Sequence, residues 1–240
     1  MINSNILVLH VKKGYEIRKE HMDRMLGERN YPFEYILDGD KDDLTEEFIS
    51  QHFSSYMASV SSATSCAAKH IFAYQYIVDH HLDGALILED DMLLYDDFEE
   101  IFNRSLEEAR ERQFHNYLIS YEDSSLHFVP RSQRVKGYYL YPQKKDRFTG
   151  AYYCPYETAA AILDYIRDKK CDLAIDLFHT SLIERIGLNY LWCQPCLATQ
   201  GSHTGMFASS ITTASAQKVT YRKFTWKLKL MYKKLLYFLR

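Results

Sequence analysis

No stretch of the 240 residues approaches the roughly 18–20 uninterrupted apolar residues that a membrane-spanning helix requires. That absence excludes a protein threaded through a bilayer by helices. The opening "MINSNILVLHVKKGYEIRKE" has only a short apolar run before charges begin, so neither a signal peptide nor an anchor is expected there. Cysteine is scarce and odd in number, with Cys66, Cys154, Cys171, Cys193 and Cys196 only. Without a leader, that count points to a reducing compartment rather than a disulfide scaffold. Internal repeats and low-complexity tracts are also missing, which excludes solenoids and disordered linkers as the main architecture. Carboxylates are absent from residues 185–240, whereas residues 1–184 carry all 32 of them against 20 of the 29 Lys and Arg. The net charge of −3 therefore hides an acidic body and a C-terminal end that carries nine basic residues and no acidic one. Such an end is suited to an anionic surface.

What is present is an ordinary globular composition, 47% apolar and 25% charged, with 20 tyrosines that serve mainly packing. "NILVLHV" (5–11), "PFEYILDGD" (32–40), "GALILEDDMLL" (84–94), "NYLISYE" (116–122) and "LNYLWCQP" (188–195) read as strands. "KGYYLYPQ" and "TGAYYCPY" add antiparallel strands with aromatic alternation. Helices are expected over 15–30, 43–57, 63–81, 96–113, 157–170 and 175–187, with Thr45 as an N-cap. Strands alternating with helices predict an α/β domain with a mostly parallel, mixed sheet covered by helices on both faces. It fills residues 1–211, and a linker with a basic amphipathic helix follows over 212–240.

The most informative stretch is "ALILEDDMLL". Ligands of open α/β sheets bind beyond the carboxyl ends of the strands, and here an apolar strand leaves the core into Glu89, Asp90 and Asp91. Extended-chain alternation directs Glu89 and Asp91 to one side and Asp90 to the other. Clustered carboxylates repel unless a cation or protons occupy them, and hard oxygen ligands suit Mn²⁺ or Mg²⁺. The alternative is a solvated acidic loop ahead of the next helix.

"LILEDDM" together with "CAAKHIFAYQYIV" resembles glycosyltransferase family 25, the lipooligosaccharide sugar transferases related to collagen galactosyltransferases. The resemblance continues through "NILVLHVKKGYEIRKEHM" with Arg18, "YILDGD", "TSCAAKH", "TGAYYCPYETAAAIL", "AIDLF" and "QPCLATQGSH", in order over roughly residues 5–211. Two positions depart from the family pattern, His10 and Lys69. The resemblance implies a GT-A-like fold, a UDP-sugar donor (UDP-galactose), and metal-assisted transfer with inversion to a lipooligosaccharide or related glycan. On that reading Glu89 and Asp91 meet metal and diphosphate, with His203 as third ligand or a plain loop histidine. Donor contacts fall to His10, Arg18, Asp38, Asp90, Tyr152 and Gln200. Asp176 is the candidate base or an N-cap, with Glu122 and Asp123 in reserve. His70 is packing or a substrate contact.

Two further motifs compete. "WCQPC" spaces Cys193 and Cys196 as in thiol-disulfide oxidoreductases, but only a loop and a basic helix follow, so the cysteines read better as packing. Zinc at this pair lacks a second pair to complete it. In "YRKFTWKLKLMYKKLLYFLR", Phe224, Leu228, Met231, Leu235 and Phe238 fall on one helical face with lysines elsewhere. Residues 221–240 are thus expected to lie on the anionic inner face of the cytoplasmic membrane, unless that face docks on the domain. Nucleic acid is not an expected partner, since the acidic body would repel phosphates. A silent membrane-associated interaction module is the remaining alternative.

Overall fold

A computed structural model of the chain describes residues 2–204, 206–207 and 219–239, without the side chains of residues 203 and 219–224. The expected connection at 209–217, the His203 side chain and the Phe224 side chain lie outside the described residues. Seven strands form one sheet: β1 (Asn5–Leu9), β2 (Glu34–Ile36), β3 (Gly84–Glu89), β5 (Tyr117–Ser120), β6 (Leu140–Gln143), β7 (Ala151–Pro155) and β8 (Asn189–Cys193). Their order is β2-β1-β3-β7-β5-β8-β6. β1 runs parallel to β2 and β3, and β5 parallel to β8, while β7 and β6 run against their neighbours. Five of the seven strands therefore point the same way, and the two aromatic strands are the antiparallel ones, as their sequences predict.

Strict alternation explains why the central strands are apolar throughout. In β1, Leu7 and Leu9 enter one core cluster and Ile6 and Val8 the other. In β3, Ala85 and Ile87 divide from Leu86 and Leu88 in the same way. Helices α3 (Ser62–Asp79), α5 (Tyr156–Lys169) and α6 (Ile175–Arg185) supply the first layer, through residues such as Ile71, Ile162 and Phe178. Helices α1 (Glu16–Glu28) and α4 (Phe98–Glu111) supply the second, through Met22, Leu26, Phe98 and Phe102. A sheet buried on both faces needs this composition.

Helix starts follow local chemistry. Thr45 caps α2 (Glu46–His52) by accepting from Phe48 N at 3.1 Å, and Ser61 caps α3 by accepting from Thr64 N at 3.0 Å. The helix expected over 43–57 is shorter, because the chain turns extended at Phe53, whose N–H bonds back to Ile49. The pairing beside the carboxylate turn is unpredicted. β4 (Met92–Leu94) pairs antiparallel with β9 (Ala198–Gln200), forming a small second sheet beside the carboxylate turn. After it come α7 (Gly201–Thr204) and α8 (Val219–Leu239).

α8 packs back on the domain through Tyr237, whose ring meets Phe128 edge-on at 5.7 Å, and through Arg131 over the Phe238 ring. Lys234 Nζ lies 3.9 Å from Asp123. Leu228, Met231, Leu235 and Phe238 all remain about half exposed or more. Among the described residues of the predicted apolar face, Leu228, Met231 and Leu235 stay open, while the Phe238 ring is covered on one side by Arg131. No helix among the described residues is long and apolar enough to cross a membrane.

Candidate active site

Parallel pairing of β1, β2 and β3 brings their carboxyl ends to one edge, where a cavity of about 410 Å³ opens. The loop after β1 lines one wall with Lys12, Lys13 and Tyr15, and Glu89 and Asp90 stand at the end of β3. Across from them α3 presents Cys66 and Lys69.

Glu89 is the last residue of β3, but Asp90 and Asp91 form a tight turn into β4. The alternation expected of an extended chain therefore stops at Glu89: Glu89 and Asp90 line the cavity, and Asp91 turns behind them. Asp90 is buried and held twice, by His10 Nδ1 at 2.8 Å and by Arg18 Nη1 at 2.7 Å. Burial works against the Arg18 charge, yet Asp90 and Asp91 outweigh it and raise its pKa. Asp91 accepts from Gly201 N through its carbonyl at 2.7 Å and from Ser202 N at Oδ2 at 3.3 Å. Its Oδ1 is buried without a partner. Burial, then the charge of Glu89, pushes the Asp91 carboxyl up.

Glu89 accepts from Thr149 Oγ1 at 3.4 Å and from Gln200 Nε2 at 3.3 Å, and its Oε1 lies 3.8 Å from His70 Nε2. Burial and the neighbouring Asp90 charge raise its pKa to about 7. Gly150 makes this arrangement possible. A Cβ there would come within 2.6 Å of Met92 Sδ and 2.9 Å of Gln200 Nε2, the amide that orients Glu89. A raised carboxyl beside an unpartnered carboxylate oxygen fits a hard divalent cation, which needs only one or two protein carboxylates when phosphates complete its shell. Glu89 and Asp91 are the residues that offer those oxygens.

The other predicted residues are sorted by burial. Lys69 ties the strand ends together, donating to His10 O at 2.8 Å and pairing with Asp40 at 2.7 Å. Asp38 is exposed, 3.9 Å from Lys12 Nζ. Gln200 acts on Glu89, as above. Tyr152 does not reach the cavity. It sits fully buried in β7, a strand covered on both faces, with its hydroxyl 2.8 Å from both His70 Nδ1 and Tyr74 Oη. Tyr74 continues this chain to His179 Nε2 at 2.6 Å. His70 is neutral, since burial lowers its pKa to about 3.

Asp176 is half-buried in the first turn of α6, where Ala174 occupies the cap position, so it is not the N-cap. Its charge contributes to the shifts of Cys66, His70 and Glu89, which puts it electrostatically on the same site. Asp146, absent from the sequence expectations, is pushed to about 6 by burial, with Asp176 adding to the rise. Glu122 and Asp123 are fully buried and do not border the cavity. Glu122 accepts from Gly150 N at 2.6 Å and Asp123 from Tyr95 Oη at 2.8 Å, so both are tied into the fold, and burial raises both carboxyls.

Cys66 is the other residue that sequence reasoning missed. It lies one helical turn before His70, a spacing visible in "CAAKH", but its approach to Glu89 is long-range. Cys193 and Cys196 are buried thiols. Burial pushes Cys193 well up and Cys196 to about 11, even with Arg147 Nη1 at 3.1 Å from the Cys196 sulfur. A thiol-disulfide enzyme needs the opposite, an exposed thiol of lowered pKa.

Residues 3–179 match glycosyltransferase family 25 (LPS biosynthesis protein). No curated protein matches the chain. One similar solved structure is a glycosyltransferase involved in the glycosylation of the major capsid of PBCV-1, with a TM-score of 0.45 and 10% identity, covering 93% of this chain and 98% of that one. Another is a mannose-1-phosphate geranyltransferase from Thermus thermophilus, with a TM-score of 0.27 and 12% identity, covering 94% of this chain and 49% of that one. The family match takes in β1 through the first turn of α6 and includes every cavity wall described above, and on it the chain belongs to glycosyltransferase family 25, whose activity is glycosyl transfer in LPS biosynthesis.

Proposed function

We propose that the chain transfers galactose from UDP-galactose to a lipooligosaccharide-type glycan, inverting the anomeric carbon with the help of Mn²⁺ or Mg²⁺. One observation carries this reading: the cavity at the strand ends is lined both by Lys12 and Lys13, the former paired with Asp43 at 2.7 Å, and by the Glu89 carboxylate. A sugar diphosphate needs both, a cationic wall for its phosphates and oxygen ligands for their counter-ion.

In the reaction the acceptor hydroxyl oxygen bonds to the anomeric carbon while the bond to the diphosphate oxygen breaks and its electron pair leaves with UDP. Glu89 and Asp91 would hold the divalent ion, which would supply electrostatic stabilisation to the departing diphosphate. Lys12 and Lys13 add positive charge at the same wall. Asp90, fixed by His10 and Arg18, receives the ribose hydroxyls, and Asp38 stands at the nucleoside end. Asp176 takes the proton of the acceptor hydroxyl.

The open apolar face of α8, flanked by exposed Lys227, Lys229 and Lys234, supports residence on the inner face of the cytoplasmic membrane, where a glycolipid acceptor is within reach. A UDP-sugar panel with Mn²⁺ and a glycolipid acceptor tests the reading. UDP release that depends on acceptor and metal, and is strongest for UDP-galactose, is expected. No transfer with any donor would leave the silent membrane module as the better account.

A further inference from the structure

The oxygen pair Glu89–Asp91 is not the only ligand set at the end of β3. On α3, Cys66 and His70 are four residues apart and so lie on one face, one turn from each other. Glu89 comes to meet them from the sheet. Cys66, His70 and Glu89 each offer one donor atom, and these atoms lie within 4.8 Å of one another.

A second observation points to a ligand there. His70 is fully buried, yet its Nε2 has no hydrogen-bond partner and lies 3.8 Å from Glu89 Oε1. A buried, unsatisfied polar atom is costly unless something fills its lone pair or takes its proton. The Tyr152–Tyr74–His179 chain can run in either direction, and a bound cation selects the one that frees a lone pair on Nε2. With Nδ1–H donating to Tyr152, Tyr152 to Tyr74, and Tyr74 to His179 Nε2, every link has one donor and one acceptor. That direction leaves a lone pair on His70 Nε2, aimed at Glu89. Metal-binding histidines are oriented in this way by a group on their second nitrogen.

We propose that Cys66, His70 and Glu89 form a binding site for a thiophilic divalent cation of the zinc class. Zinc bonds of about 2.0–2.3 Å at tetrahedral angles separate ligand atoms by roughly 3.5 Å. The His70–Glu89 spacing of 3.8 Å is already close to that value, and the Cys66 sulfur lies within 4.8 Å of both partners. Sulfur and imidazole select against Mg²⁺, which prefers oxygen. On binding, Cys66 releases its thiol proton to solvent, and thiolate plus carboxylate balance the two charges of the ion. Cys66 and Glu89 both line the cavity, which gives the ion an entry path and leaves the fourth position open to water or substrate. Because Glu89 is shared with the oxygen pair, the two ions exclude each other. The site itself does not depend on the donor reading, since it is measured without turnover.

Cobalt titration of the metal-free full chain tests the proposal. One equivalent of Co²⁺ should give a thiolate-to-cobalt charge-transfer band that Zn²⁺ abolishes and excess Mg²⁺ does not. The band should vanish in Cys66→Ser and persist in the Cys193→Ser/Cys196→Ser double variant. Tyr152→Phe, which keeps all three ligands, should retain the band but bind about tenfold more weakly. It guards against a folding defect in Cys66→Ser. No band in the wild type, a band that survives Cys66→Ser, or loss of the band in the double variant overturns the site.

Discussion

Replacing Glu89 by Gln should remove a pH dependence of stability that follows from its environment. Burial and the Asp90 charge raise this carboxyl from an ordinary 4.5 to about 7. A carboxyl with a raised folded-state pKa favours the fold when protonated. Between 4.5 and 7 the unfolded chain has lost the proton and the folded chain still holds it, so stability falls as pH rises through this window. Below the window both states are protonated and nothing is lost. At 1.36 kcal/mol per unit, the wild type should lose about 2.5 kcal/mol between pH 5 and pH 8 through this residue alone. Urea unfolding of both proteins with chelator present measures it. The rises at Asp146 and Asp123 are common to both proteins and cancel in the difference, while those at Asp91 and Glu122 shrink once the Glu89 charge is gone, so the wild type keeps the steeper fall with pH. Mn²⁺ at pH 8 should then restore the wild type by about 2.7 kcal/mol when present at a hundred times its Kd, and the variant by much less. Equal pH slopes in wild type and variant would refute the assignment of Glu89 as the strained carboxyl of the site.

Other outcomes follow from the same geometry. Gly39→Ala should destabilise by about 1–2 kcal/mol, read by thermal melting, because φ is +93° there and the new Cβ meets Lys69 N at 3.0 Å. Gly150→Ala should lower both stability and transfer, since its Cβ presses on the buried Met92 sulfur and displaces the Gln200 amide from Glu89, and a kinetic assay paired with a melting curve reads the two. Removing residues 219–240 should move the protein from the membrane pellet to the supernatant while the domain still melts cooperatively, and unchanged partitioning would count against the membrane role of α8. The Cys193→Ser/Cys196→Ser variant should keep full transfer activity, and in the wild type both thiols should react with a thiol reagent only after unfolding.

The elements that were legible are those in which one short stretch settles its own environment. "ILVL" and "ALILE" can only be strands buried on both faces, and the steps of four and three in "YRKFTWKLKLMYKKLLYFLR" draw the open face of α8 directly. The β4–β9 ladder was not legible. Met92–Leu94 is three residues long and merges in sequence with β3, and its partner Gln200 lies across the whole domain. The same turn broke the alternation of Glu89, Asp90 and Asp91, a rule that holds only while the chain stays extended. Tyr152 reads as a ligand from its motif, yet β7 lies between β3 and β5, where no side chain near the middle of the strand reaches solvent. Cys66 and His70 show their helical spacing, but nothing local announces that Glu89 completes the group. Long-range convergence, not local propensity, made the difference.

The most direct test of the account is UDP-galactose turnover on a lipooligosaccharide acceptor, measured with Mn²⁺, with chelator, and in Asp91→Asn. Acceptor-dependent transfer that collapses with chelator and in Asp91→Asn is the predicted result. Transfer that proceeds undiminished in both would contradict it.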